Sequence, residues 1–138
     1  MREIKFRAWD MRQKEMRSVM GFRVNKSKSI TINATEHPEN WEPLITSGIH
    51  KDGILMQYTG LKDKKGKEIY EGDIVFHSDK TIMEVLWSNK HATFIVKYIY
   101  LKEKVEDFID LVKESEVIGN IYESPELLQK KEKVINNE

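Results

Sequence analysis

Between Asp73 and Leu101 the chain reads DIVFHSD, then TIMEVLW, then ATFIVKYIYL, and no other stretch limits the fold so tightly. Each segment is rich in β-branched and aromatic residues, which suit a pleated, half-buried surface. Short polar punctuation, SDK at 78–80 and SNK at 88–90, separates them. Three strands in such close succession predict an antiparallel meander or a small barrel.

The chain before this run reads the same way. IKFRAWD alternates Ile4, Phe6 and Ala8 against Lys5, Arg7 and Trp9, the period-two pattern of a strand with one buried face. MRQKEM reads as a polar turn, and RSVMGFRV as the partner strand of an N-terminal hairpin. ITINA is a further short strand. EHPENWEPLITSG holds Pro38 and Pro43, each of which pushes its predecessor toward extended geometry, so an ordered loop is expected. Ile54 to Tyr58 is the next strand. Past the meander the period changes: Leu101, Val105, Phe108, Ile109 and Val112 recur at helical spacing and predict a helix from about Glu103 to Lys113. VIGNIYE is one more strand. Ser124 and Pro125 form an N-cap and first-turn pair for a closing helix, PELLQKKEK, with VINNE fraying beyond it.

The expected class is therefore α+β, mainly β. It combines an N-terminal hairpin, a small SH3-like antiparallel barrel with its core at about 54–122, and one or two short helices. Residues 1–128 read as a single domain and 129–138 as a polar tail. A chain of 138 residues can bury a real core without staples. The charged fraction, 33%, exceeds the ~25% typical of soluble domains, so that core lies under a heavily charged skin.

Composition removes several kinds of chemistry. The absence of cysteine excludes disulfides, thiolate metal sites and cysteine nucleophiles. The charged N-terminus has no signal-peptide core, and no apolar run approaches the ~18 residues of a membrane span, so a cytoplasmic protein is expected. Lys and Arg number 23, as do Asp and Glu. Zero net charge gives no global attraction to nucleic acid or anionic membranes, and leaves self-association open.

LMQYTGLKDKKGKEIYEGDIV, Leu55 to Val75, raises the sharpest functional question. Lys62, Lys64, Lys65 and Lys67 surround Gly66, with Gly60 and Gly72 on either side. A phosphate-binding loop is the dramatic reading. The Walker pattern is absent, however: Gly60 to Gly66 has one residue too many, Glu68 follows Lys67, and a strand rather than a helix comes next. A hairpin tip at Gly66 and a sharp entry into a strand at Gly72 and Asp73 explain the run better.

These residues resemble the signature of the YopX family, small proteins of phages and prophages. IKFRAWD with its Met-containing turn, the strand carrying Trp87, and VIGNIYESPELL resemble it as well. Together the segments run from Ile4 to Leu128. The resemblance implies a phage- or prophage-encoded accessory protein in a bacterial host, and supplies no catalytic or binding residues to carry over. Gly60, Gly66, Gly72, Asp73, Gly119 and Asn120 are read as architecture, the glycines serving turns.

Chemistry has thin support. His77 and Asp79 lie two apart on one strand face, and His91 is in reach if a hairpin folds them together. Metal sites need three or four ligands, so solvated strand-end residues are the plainer reading. His77, Ser78 and Asp79 are too close in sequence to form a hydrolytic triad. Glu68, Glu71 and Asp73 suit a solvated turn better than paired-carboxylate catalysis. No enzyme, metal or cofactor is expected. A nucleic-acid module would use the Lys62–Lys67 tip, the basic residues Lys130, Lys131 and Lys133, and exposed rings among Tyr58, Tyr70, Trp87, Tyr98 and Tyr100. A protein-binding or self-assembling module, a homo-oligomer among them, explains more: neutral charge, several sheet edges, and short amphipathic helices around Phe108 and around Leu127 and Leu128.

Overall fold

The computed structural model describes residues 2–77, 81–99 and 105–128. Eleven strands appear among them, in two compact units that divide between Gln57 and Tyr58. All strand pairs are antiparallel.

In the N-terminal unit, β1 (Phe6–Asp10) and β2 (Glu15–Val24) form the expected hairpin, with Arg7 opposite Ser18 and Asp10 opposite Glu15. The second half of β2 pairs β3 (Ile30–Ala34), and β3 pairs the two-residue β4 (Leu44–Ile45) inside the proline-bearing loop. On its other side β1 pairs the first half of β5 (Gly53–Lys62), Ala8 opposite Leu55. Alternation then puts Ala8, Ile32 and Leu44 into one buried cluster, flanked by Val19, Ile30, Trp41 and Leu55. Gly53 has no alternative at its position, since a Cβ there would lie 2.6 Å from the Leu44 Cβ.

β5 runs on into the C-terminal unit, where its second half pairs β6 (Glu68–Tyr70). The expected meander follows as β7 (Asp73–Phe76), β8 (Ile82–Ser88) and β9 (Thr93–Tyr98), with β10 (Glu106–Phe108) added beside β9. The last strand, β11 (Glu116–Asn120), returns beside β7, giving the order β10-β9-β8-β7-β11. One face of this sheet contributes Val75, Met83, Val85, Val96 and Val117 to a core completed by Ile69 and Val112. At roughly 25 cal/mol per Å² of apolar surface removed from water, such fully covered side chains supply most of the drive to fold.

Two expectations are corrected here. No closed SH3-like barrel forms: the five-stranded sheet keeps β10 and β11 as separate edges, and β5 pairs β1 along its first half. The fold is mostly β, with two antiparallel sheets. The helix expected over Glu103–Lys113 is also absent from the described part of that segment. Glu106–Phe108 is a strand, and Ile109–Glu114 a 3-10 helix. Apolar spacing at 105, 108, 109 and 112 fits a helix, but pairing with β9 wins. The Tyr98 N–H donates to the Val105 carbonyl at 3.0 Å and the Tyr98 hydroxyl to Asp107 at 3.1 Å, holding the segment extended. Residues 126–128 are helical, as expected for the start of PELLQKKEK, while residues 129–138 lie outside the described residues.

Candidate interaction surfaces

The lysine-rich run is organised by a residue that the sequence reading passed over. Asp63 is buried to 6% exposure at the end of β5. Its Oδ1 accepts the N–H groups of Lys65 at 2.9 Å and Lys67 at 2.8 Å, and its Oδ2 accepts the Val117 N–H at 2.9 Å. The Gly66 N–H closes the turn on the Asp63 carbonyl at 3.0 Å, with Gly66 at φ 85°, the left-handed conformation that favours glycine. The Lys64 N–H reaches the Ser115 carbonyl at 3.0 Å. One carboxylate thus shapes the hairpin tip and ties it to β11. Burial pushes the Asp63 carboxyl up. The hydrogen bonds from Val117, Lys67 and Lys65, with the Lys67 charge, outweigh that and leave it below the ordinary carboxylate range. The DKKG spelling, aspartate three before glycine, is the local signal that marks such a turn.

Lys62, Lys64, Lys65 and Lys67 are all exposed on this tip. Lys65 is committed to Glu116 at 2.7 Å, and that contact and charge hold its ammonium above the usual lysine range. Of the rings expected to serve as stacking platforms, Trp87 alone is exposed among the described residues. Tyr58 is core, tilted against Tyr70 at 5.5 Å between centroids, and Tyr98 is half-buried with its hydroxyl on Asp107. Trp87 is exposed and meets Phe94 edge-on at 5.0 Å. The tip adjoins Glu116 and Val117, whose register leads through Phe76 and Val75 to Ile82 and Met83, at one end of β8. Trp87 lies five residues along from Ile82, roughly 16 Å at ~3.3 Å per residue. Among the described residues, the tip lysines and Trp87 do not share a site. Tyr100, Lys130, Lys131 and Lys133 lie outside the described residues.

The histidines are separated too. His77 follows β7, its N–H donating to the Thr81 carbonyl and its Nε2 3.9 Å from the Glu114 carboxylate. His91 follows β8, with its N–H on the Ser88 hydroxyl. The length of β8 sets them apart, roughly 20 Å, so the meander does not bring them to one ion. Ser78 and Asp79 lie outside the described residues, and among those described no group of three His, Asp or Glu could hold a metal. Asp73 is fully buried, its Oδ2 accepting the Tyr70 N–H at 2.8 Å. Gly60 and Gly72 have φ of 86° and 85°. Gly119, expected at a turn, instead sits within β11, where a Cβ would come 2.6 Å from the Ser124 hydroxyl. The Asn120 Oδ1 accepts the Tyr122 and Glu123 N–H groups and turns the chain toward that serine.

Another buried carboxylate organises the N-terminal unit. Asp10 is wholly buried at the end of β1 and accepts the Trp41 indole N–H at 2.9 Å, the Arg17 Nε at 3.3 Å and the backbone N–H groups of Arg12 and Gln13. Burial pushes its carboxyl up, and these four donors pull it below the ordinary range. The polar turn is therefore held by a hub that also pins the proline-bearing loop through Trp41.

Large apolar side chains remain exposed beside this scaffold. On β2, Met20 is 70%, Phe22 41% and Val24 64% exposed, with Ile4 exposed as well. Phe6 meets Phe22 edge-on at 5.0 Å. In the other unit Phe108 stands out from edge strand β10, beside an open groove of ≈ 420 Å³ lined by His91, Thr93, Ile95, Glu106 and Asp107.

Two antiparallel sheets, with turns set by buried Asp and Asn side chains, define a small, mostly β protein. The YopX protein family model matches residues 5–129, and the chain belongs to that family. The crystal structure of protein EF1440 from Enterococcus faecalis is similar over 93% of this chain and 99% of that one, at 30% identity and a TM-score of 0.63. The structure of protein yopX from Bacillus subtilis shares the fold, with 22% identity over 89% of this chain and 96% of that one and a TM-score of 0.56. A comparison with curated proteins gives no match. No helix among the described residues is long and apolar enough to cross a membrane.

Proposed function

We propose that this chain is a non-enzymatic phage or prophage accessory protein that works by binding, in the cytoplasm of a bacterial host, through self-association or a protein partner. The observation that carries this reading is the exposed apolar run of Met20, Phe22 and Val24 on a single strand. Monomeric proteins keep strand edges short, charged or covered, because an open apolar edge recruits another chain. Equal numbers of acidic and basic residues add no net repulsion between copies. Sedimentation velocity over a wide concentration range tests it. The expected result is a mass that rises above 16.3 kDa with concentration, or a host or phage protein that co-sediments.

A nucleic-acid module is the second reading, favoured by the shape of the tip: Asp63 fixes a turn that carries Lys62, Lys64 and Lys67 outward. Fluorescence anisotropy with labelled single- and double-stranded DNA and RNA tests it. Micromolar binding that weakens steeply with salt and is lost on Lys64→Ala with Lys65→Ala supports this module; no binding at low salt removes it.

A further inference from the structure

We propose that the chain's own last residues, QKKEKVINNE at 129–138, seat on the groove beside Phe108, with Val134 and Ile135 covering its apolar floor. This goes beyond the binding reading above and does not depend on it. The groove lies on the face of the five-stranded sheet opposite the core. Met83, Val85 and Val96 point into the core, so alternation turns Glu84, Ile95 and Lys97 to the other face. Pairing sets Glu106 and Phe108 of β10 beside Lys97 and Ile95 on that face. Gly119 of β11 shares it, through Ile74 and Glu84. The closing segment crosses the same face. Ser124 and Leu127 lie against Gly119, where a Cβ would meet the Leu127 Cδ1 at 3.1 Å, and Leu128 reaches Glu84, Lys97 and Ile99. Residues 126–128 are already helical, and they carry the chain from β11 toward β9 and the groove.

Spacing and charge choose the occupant. Leu127 and Leu128 recur seven residues on as Val134 and Ile135, the interval that returns to one side of a helix after two turns. Seven residues advance a helix by about 10 Å. From Lys97 to Phe108 is two residues along β9 and one strand across, about 8 Å at ~3.3 Å per residue and ~4.8 Å between strands. A helix continued past Leu128 therefore delivers Val134 and Ile135 onto Ile95 and Phe108. Phe108 is 80% exposed, so covering its ring removes apolar surface from water. Glu106 and Asp107 line the groove on β10, and residues 129–133 bring three lysines to them with a single glutamate. The segment is tethered beside the groove, so even weak contacts act at high effective concentration. A protein partner that uses Phe108 has to displace it.

The chain has no cysteine, so paired substitutions test this cleanly in the full chain. Thr93 is exposed on the groove and serves as the fixed partner. With Thr93→Cys, Ile135→Cys should form an intramolecular disulfide at least tenfold faster than Asn137→Cys, which falls on the opposite side of the helix. Equal rates for the two pairs overturn the proposal. Methyl NMR of the full chain without added cysteine gives a second measurement. The Ile135 methyl should show an NOE to the Phe108 ring that persists on dilution, and Val134→Asp with Ile135→Asp should shift the Ile95 methyl. An Ile135 methyl without contact to Phe108, or an Ile95 methyl indifferent to the double variant, overturns the proposal. So does an NOE lost on dilution, because another copy's tail then fills the groove.

Discussion

Replacing Asp63 should loosen β11 from the lysine-rich tip, and the size of the effect follows from its three hydrogen bonds. The Val117 N–H is buried, so in Asp63→Ala it loses its acceptor without access to water, at a cost of about 1–3 kcal/mol. The Lys65 and Lys67 N–H groups sit on an exposed turn and can rehydrate, at about 0.5–1 kcal/mol each. The sum is about 2–5 kcal/mol, or a fall in Tm of about 6–20 °C for a chain of this size. Asp63→Asn separates the two halves of the role. Its amide oxygen can still accept from the turn, but its NH₂ group then faces the Val117 N–H, donor against donor, so a loss of about 2 kcal/mol is expected. Thermal melts followed by far-UV circular dichroism would read both variants. If Asp63→Asn melts within a degree of the wild type, the second carboxylate oxygen does not hold β11 and the reasoning fails. Acid adds a check. A carboxyl lowered in the folded state contributes stability above its unfolded value near 4, and loses it as pH falls through the lower folded value. Stability should therefore drop below about pH 4, and the drop should be shallower in Asp63→Asn.

Asp10→Ala leaves the buried Arg17 and the Trp41 N–H without their shared acceptor, and about 3 kcal/mol should be lost, seen as an earlier urea midpoint by Trp fluorescence. The loss stays at the low end because Arg17 retains Glu15 at 3.0 Å. Ala92 holds a φ of 52° in the β8–β9 turn, so Ala92→Gly should raise stability by about 0.5–1 kcal/mol, a gain of a few degrees in Tm.

How far the fold can be read from sequence depends on how local each determinant is. β7, β8 and β9 are legible because period-two runs and polar turns are written within ten residues of each other. The partner of β5 is not, because the Ala8–Leu55 pairing joins strands some 45 residues apart, and nothing in either strand names the other. The segment around Phe108 misleads for a related reason: its apolar spacing serves a helix equally well, and only contact with Tyr98 and β9 decides. At the tip, DKKG marks the turn, whereas the bond from Asp63 to Val117 spans 54 residues and has no local mark. The alternation of Met20, Phe22 and Val24 is legible as a strand. That these side chains stay exposed is set by what packs on that face of the sheet, which no pattern in RSVMGFRV announces.

Residue-resolved amide hydrogen exchange, measured at low and high protein concentration, tests the binding account most directly. If copies associate through the exposed β2 run, the Phe22 and Val24 N–H groups gain protection as concentration rises. Those of Arg23 and Asn25, already facing β3, should stay unchanged. Exchange at Phe22 and Val24 that is fast and independent of concentration would contradict the account.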